Sequence, residues 1–286
     1  MILITGANGH LGSTTIEFLL KKNPDTKIRA LVRSEEKGAN LKASGVEIAV
    51  GDYLNYDSLV QATKGVKTLL LISSSSPKNR YQQHINVIKA ANENKIEHIV
   101  YTSVLKANPG SKFTAGIDHY KTEEYIKNSG IDYTIMRNTY YADFLPDIIG
   151  NAVESGVIYY SAGNTKINFA SRIEMAEANA VVLSGSNTHK NKTYEITSGS
   201  VYNFDKIASM VSEITGKEIK YVDLPVETLK ENIVKMGMPK EVAELMGSIA
   251  ESMKAGEFDF VDPTLEKLIV RKPTDLKDFL KTVYSK

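Results

Sequence analysis

The start of the chain is its tightest constraint. Met1-Ile2-Leu3-Ile4-Thr5 is a short apolar run, Gly6-Ala7-Asn8-Gly9-His10-Leu11-Gly12 follows at once, and Ser13 to Lys22 carries helical spacing. Together these read as a buried strand, a G-x-x-G-x-x-G turn and a helix. The three glycines answer three needs: a tight turn, a backbone that can approach a pyrophosphate, and a helix packed closely on its strand. The helix start then aims unpaired N–H groups and a partial positive charge at the phosphates. A glycine turn alone also serves plain structure. In strand–turn–helix context it predicts a dinucleotide site.

The rest of the chain repeats that grammar. Strand-like runs recur at residues 27–32, 46–50, 66–72, 96–102 and 131–136, with helical segments around Leu41, Leu59, Val87 and Tyr125 between them. Near-continuous apolar strands alternating with helices predict an α/β fold, a Rossmann-type doubly wound parallel sheet covered on both faces. Ligands of such sheets sit beyond the carboxyl ends of the strands. After residue 138 the rhythm loosens. Segments 141–154, 172–183, 204–215, 226–251 (broken at Met238-Pro239) and 274–284 read as helices, and 157–161, 192–197 and 218–222 as strands. The expected division is a dinucleotide-binding domain over 1–150 and a smaller α+β part over 151–286, interleaved with the core and roofing the site.

Composition excludes several alternatives. The 35 basic and 34 acidic residues leave a net charge of +1, with no basic block of the kind that binds nucleic acid. There is no cysteine, so disulfides, Cys-ligated zinc and a thiolate nucleophile are ruled out, and no metal site is expected. No apolar run approaches the roughly 18–20 residues of a membrane span. A cytoplasmic location and a monomer or homodimer are the expectations.

Several positions after the strands carry chemistry. Arg33 closes the second strand, where a carboxylate would bind the ribose hydroxyl of NAD. An arginine there suits the 2′-phosphate of NADPH, while Glu35 and Glu36 stand near enough to neutralise it. Asp52 and Tyr53 follow the third strand, placed to meet an adenine or to turn the chain, with Asp52 capping the next helix. Ser73-Ser74-Ser75-Ser76-Pro77 ends the fourth strand, where a loop can pass the nicotinamide ribose. Ser103 stands after the fifth strand, but the Tyr-x-x-x-Lys of a short-chain dehydrogenase does not follow. The matching helix reads His119-Tyr120-Lys121-Thr122-Glu123, with His119 and Glu123 on one face as a mutually orienting or a solvated pair. Ketone reduction needs a matched proton donor, whereas hydride transfer into an electron-poor conjugated system asks mainly for positioning. Arg137-Asn138-Thr139-Tyr140-Tyr141-Ala142-Asp143-Phe144 adds an amide and three rings, which suit either a flat substrate or core filling.

Taken together, these motifs resemble the NmrA-like group of atypical short-chain dehydrogenase/reductases. Within it, the chain is most similar to the type 2 NADPH:quinone oxidoreductases and the triphenylmethane reductases. Residues 4–12, Leu31-Val32-Arg33, Gly51-Asp52-Tyr53, residues 69–75 and 83–88 carry the likeness. So do Tyr101-Thr102-Ser103, His119 with Thr122-Glu123, Arg137-Asn138, Ser171-Arg172 and residues 212–217. The resemblance implies an NADPH-dependent reductase that passes hydride to a quinone-like small molecule. It implies that Gly6, Asn8, Gly9, His10, Leu11, Gly12 and Arg33 hold phosphates and that Asp52 and Tyr53 hold the adenine. Ser73, Ser74, Ser75 and Thr102 would line the nicotinamide side. His119, Asn138 and Ser103 would be the catalytic group, and Tyr140, Tyr141 and Phe144 would face the substrate. Two other readings compete: a non-catalytic NADP(H) sensor, also found among NmrA-like proteins, and a nucleotide-sugar epimerase, which the missing Tyr-x-x-x-Lys weakens.

Overall fold

Strands that are buried along their whole length must be covered on both faces, and the first half of the chain obeys this. The computed structural model describes residues 1–76 and 78–285. Five βα units run β1 (Ile2–Ile4), α1 (His10–Lys22), β2 (Ile28–Val32), α2 (Glu35–Ala43), β3 (Glu47–Val50), α3 (Tyr56–Thr63), β4 (Thr68–Leu71), α4 (Arg80–Glu93), β5 (His98–Val104) and α5 (Thr114–Lys127). β6 (Asp132–Asn138) follows. Leu3 and Ile4, Leu69 to Leu71, and Ile99 to Tyr101 are sealed from solvent, so these strands cannot alternate polar and apolar residues. β1 pairs in parallel with β2 and β4, β2 with β3, and β4 with β5. The order β3-β2-β1-β4-β5-β6 is that of a doubly wound Rossmann-type sheet. It reverses between β1 and β4, which sets the glycine turn and the serine loop at neighbouring strand ends.

The next stretch leaves that sheet. β7 (Tyr140–Tyr141), α6 (Leu145–Ile149), α7 (Ala152–Ser155), β8 (Val157–Tyr160) and β9 (Ile167–Ala170) come first. The chain then returns: α8 (Arg172–Ser184) packs on α1, and β10 (Lys192–Ile196) joins the large sheet beside β6 as its seventh strand. β11 (Val201–Tyr202), α9 (Phe204–Thr215), β12 (Lys220–Asp223), α10 (Val226–Lys235), α11 (Lys240–Lys254), α12 (Thr264–Ile269) and α13 (Leu276–Tyr284) complete it. β11-β9-β7 form a three-stranded sheet and β12-β8 a parallel pair. Two compact units result, one of residues 1–104, 118–137 and 172–194, the other of 105–117, 138–171 and 195–286. Residues 138–150, expected with the first domain, thus cluster with the second unit, and 172–194, expected with the second, cluster with the first.

Local chemistry explains the element ends. Asn203 caps α9 by accepting from the Lys206 amide, and Gly216 closes it at a φ of 71°. The single helix expected over 141–154 does not form. Tyr140 and Tyr141 pair with β9, a tight turn spans Ala142–Phe144, and Gly150 at a φ of 54° separates α6 from α7. β9 escapes the apolar pattern because Asn168 sits in its middle. That side chain is buried and holds the backbone of Ser198 and Ser200. Among the described residues no helix is long and apolar enough to cross a membrane.

Candidate active site

The turn after β1 is built by leaving atoms out. Gly6 adopts a φ of 58°, which costs a residue with a Cβ about 1–2 kcal/mol, and the Gly9 amide closes the turn onto the Gly6 carbonyl at 3.0 Å. A Cβ on Gly12 would stand 2.4 Å from the Gly6 oxygen and 2.8 Å from the Ala7 Cα, so α1 reaches the turn only because residue 12 has none. No side chain caps α1 at Gly9, and Asn8, Gly9 and His10 are exposed while Leu11 is buried beneath them. An uncapped first turn with open glycine backbone fits a phosphate group. Arg33 lies just past β2, exposed and without an ionic or hydrogen-bonded partner among the described residues, Glu35 and Glu36 included. Its planar donors are free for a further phosphate.

Asp52 does not cap α3. Its Oδ1 accepts from the Leu54 amide at 2.8 Å, and Asn55 is the cap, accepting from the Ser58 amide at 3.1 Å. The neighbouring Tyr53 is pinned to the far side of the switch point: its hydroxyl donates to the Ile72 carbonyl at 2.8 Å, and Asn86 donates to its carbonyl at 2.9 Å. The adenine-side turn and the end of β4 are therefore tied together. At that end, the Ser73 amide donates to Thr102 Oγ1 at 2.9 Å, which joins two residues expected on the nicotinamide side. Arg80 Nε donates to the Ser74 carbonyl at 2.8 Å, and Ser74 Oγ donates to Gln83 Oε1. Ser75 is exposed. Pro77 of the expected serine loop lies outside the described residues.

α5 and β5 hold two buried clusters. In the first, Glu123 has no exposure and receives Arg137 on both oxygens, at 2.9 and 2.7 Å, with Lys127 Nζ 3.9 Å away. Ser103 Oγ donates to the same carboxylate at 2.6 Å, so Ser103 offers lone pairs toward the site and not its proton. His119 and Glu123 share a helix but not a bond; the expected pair is neither mutual nor solvated. In the second cluster, Tyr101 Oη lies 2.7 Å from His119 Nδ1 and 3.3 Å from His84 Nδ1. His84 Nδ1 also lies 3.0 Å from Thr122 Oγ1, and its Nε2 takes the Ser74 amide at 2.9 Å. Burial, helped by nearby Arg80, pushes His84 down to about 3. Burial, His84 and Arg80 together hold His119 well below the usual histidine range, and burial lifts the Tyr101 phenol well above its own. His119 is thus a neutral imidazole, and its Nε2 has no partner among the described residues. The sequence assigns no role to Tyr101, His84 and Thr122, although all three fall in segments that carry the family resemblance.

The remaining expected residues lie in the second unit. Asn138 is buried, its Nδ2 lies 3.4 Å from Tyr141 Oη, and its Oδ1 is buried without a hydrogen bond among the described residues. An orphaned acceptor of this kind costs on the order of 1–3 kcal/mol unless something donates to it. Tyr140 packs among Phe144, Phe169 and Phe258 at 5.9, 6.0 and 5.9 Å between ring centres, and Tyr141 stacks on Phe144 at 5.7 Å. The three rings serve both as packing and as an aromatic face, since Phe144 remains 39% exposed. Among the described residues no group of three or more His, Asp or Glu side chains is placed to hold a metal ion.

Comparison with known proteins places the whole chain. The sequence profile of the NmrA-like family matches residues 1–280. Quinone oxidoreductase 2 of Escherichia coli (strain K12) is 35% identical over 286 residues, covering 100% of this chain and 99% of that protein. The crystal structure of an NADPH-dependent quinone oxidoreductase from Escherichia coli complexed with NADPH superposes with a TM-score of 0.95 at 34% identity, covering 100% of both chains. The triphenylmethane reductase of Citrobacter sp. complexed with NADP(H) gives a TM-score of 0.93 at 37% identity over 99% of each chain.

Proposed function

The chain belongs to the NmrA-like family, and from that premise we propose that it is an NADPH-dependent reductase that passes hydride to a quinone or a similarly flat, electron-poor acceptor. The observation that carries this reading is the helix where Tyr-x-x-x-Lys would stand. It presents a neutral imidazole, His119, held from behind by the Tyr101 hydroxyl at 2.7 Å. A relative 35% identical over the full chain, named for quinones, supports the acceptor class.

When bound, NADPH supplies two electrons as a hydride and leaves as NADP⁺, and one further proton completes the hydroquinone. The chain's own residues do the rest. The glycine turn and the start of α1 hold the pyrophosphate, Arg33 holds the 2′-phosphate, and Asp52 and Tyr53 hold the adenine. The main chain of Ser73 to Ser75, fixed by Thr102, lines the nicotinamide side. His119 offers Nε2–H to the acceptor oxygen where negative charge gathers, and solvent supplies the proton that the product keeps. Asn138 directs its free Oδ1 at a donor of the bound molecules. Ser103 positions, because its proton is engaged by Glu123. Tyr140, Tyr141 and Phe144 stack against the flat acceptor.

The test is oxidation of NADPH, and of NADH in parallel, against a panel of quinones and dyes. Turnover with NADPH preferred is expected. Tight NADPH binding with no turnover on any acceptor overturns the reductase and leaves a sensor. Arg33→Ala should weaken NADPH by about 1.5–3 kcal/mol, roughly tenfold or more, and leave NADH nearly unchanged. Undiminished NADPH preference removes Arg33 from the 2′-phosphate.

A further inference from the structure

We propose that Tyr101 and His84 are positioning residues, the inner links of a one-way hydrogen-bond chain that starts at the Ser74 backbone and holds His119 as an Nε2–H donor. The chemical purpose of that donor rests on the reductase reading above; the chain itself does not.

The direction follows from what each group is able to do. The Ser74 amide can only donate, so His84 Nε2, 2.9 Å away, must present its lone pair. A neutral His84 then carries its proton on Nδ1. That proton faces Thr122 Oγ1 at 3.0 Å and Tyr101 Oη at 3.3 Å. Thr122 spends its own proton on the Asp118 carbonyl at 2.8 Å, so it has only lone pairs for His84. Tyr101 cannot donate to a nitrogen that already bears hydrogen. Its proton therefore goes to the other imidazole within reach, His119 Nδ1, at 2.7 Å. With Nδ1 accepting, neutral His119 must hold its proton on Nε2, the nitrogen without a partner among the described residues.

The surroundings prevent the chain from running backward. Reversal needs a proton on His84 Nε2, where it would point at the Ser74 N–H. Double protonation of either ring would bury a cation next to Arg80, whose guanidinium stays 3.7 Å from Asp118. The remaining buried charge of α5, Glu123, takes its hydrogen bonds from Arg137 and Ser103 and not from this cluster. Four elements contribute: the loop after β4, α4, β5 and α5. A main-chain amide, which no substitution short of proline removes, thus sets the hydrogen position of a side chain three hydrogen bonds away.

Nitrogen-15 NMR of imidazole-labelled protein reads the tautomer directly. In the wild type, His119 should show its one-bond proton coupling at Nε2 with a bare Nδ1, and His84 the opposite. Either ring in the other tautomer overturns the proposal, whether or not any variant folds. Tyr101→Phe should give His119 a measurable Nδ1–H population and lower kcat roughly two- to tenfold, with KM and NADPH affinity held. An unchanged spectrum and kcat overturn it. His84→Gln keeps an acceptor for Ser74 and a donor for Tyr101, so it should retain the wild-type His119 signature, whereas His84→Leu should lose it; equal behaviour of the two overturns the directional chain. If the wild-type tautomers are as stated but no acceptor is turned over, the chain stands and the reductase reading falls.

Discussion

The glycine turn after β1 and the hydrogen-bond chain behind His119 belong to the same unit, yet they are made of opposite materials. The turn is main chain, and its shape depends on atoms that are missing: a Cβ on Gly12 would collide at 2.4 Å. The chain is almost all side chain, and it depends on atoms being present in the interior, with His84 at no exposure and His119 at 7%. One should fail by addition and the other by subtraction. A backbone site needs only local geometry, while a buried polar network needs every member satisfied at once.

The largest test of that contrast is subtraction beside the chain. Glu123→Ala leaves the Arg137 guanidinium without its bidentate carboxylate and should cost about 3–5 kcal/mol of unfolding free energy in urea melts; a loss under 1 kcal/mol would show that the interior tolerates missing partners.

Acid titration comes next. His84, pushed down to about 3, His98, pushed down to about 4 by burial, and His119 are neutral in the fold. Unfolded histidine binds its proton near 6.5, so above that pH these groups contribute no slope. Below it the unfolded chain takes protons that the fold refuses. Stability should then fall by as much as about 1.4 kcal/mol per pH unit for each histidine, until the folded values are reached. Urea midpoints measured from pH 8 to pH 4.5 check this, and His84→Gln should remove one share of the slope.

Addition is tested at the turn. Gly12→Ala should cost about 1–3 kcal/mol by overpacking and abolish NADPH binding in calorimetry, while His119 keeps its NMR signature. Retained binding would mean that α1 can move off the strand. The smallest effect is expected at the end of the chain itself. His119→Ala should reduce kcat by about 1.5 kcal/mol, roughly tenfold, because hydride transfer to an electron-poor ring needs little proton help. A loss of several orders of magnitude would move His119 from supporting charge to delivering a proton.

The same contrast explains what could be read in advance. β1, β2, β4 and β5 stand out as apolar runs because both faces are covered, and the glycine turn stands out because its need for small residues is local. Asn203 and Gly216 delimit α9 for the same local reason. β9 does not stand out, since Asn168 breaks the run in order to bind a loop 30 residues away. Asp52 and Asn55 are both competent helix caps, and only the fold decides between them. Tyr101, His84 and His119 are 17 and 18 residues apart along the chain, so nothing in their spacing announces a bond. The missing Tyr-x-x-x-Lys and His119 in its place are legible; the Tyr101 and His84 bonds behind His119 are not.

The return of residues 172–194 to the first unit bears on how the protein is made. α1 carries Leu11, Thr15, Ile16 and Leu19 on its buried face and packs on α8, which begins some 150 residues after α1 ends. During synthesis at roughly 5–20 residues per second, that face lacks its α8 partner until Arg172–Ser184 has left the ribosome. The emerging first half must therefore wait roughly 8–30 s for that partner. No cut at a single point in the chain would release either unit whole.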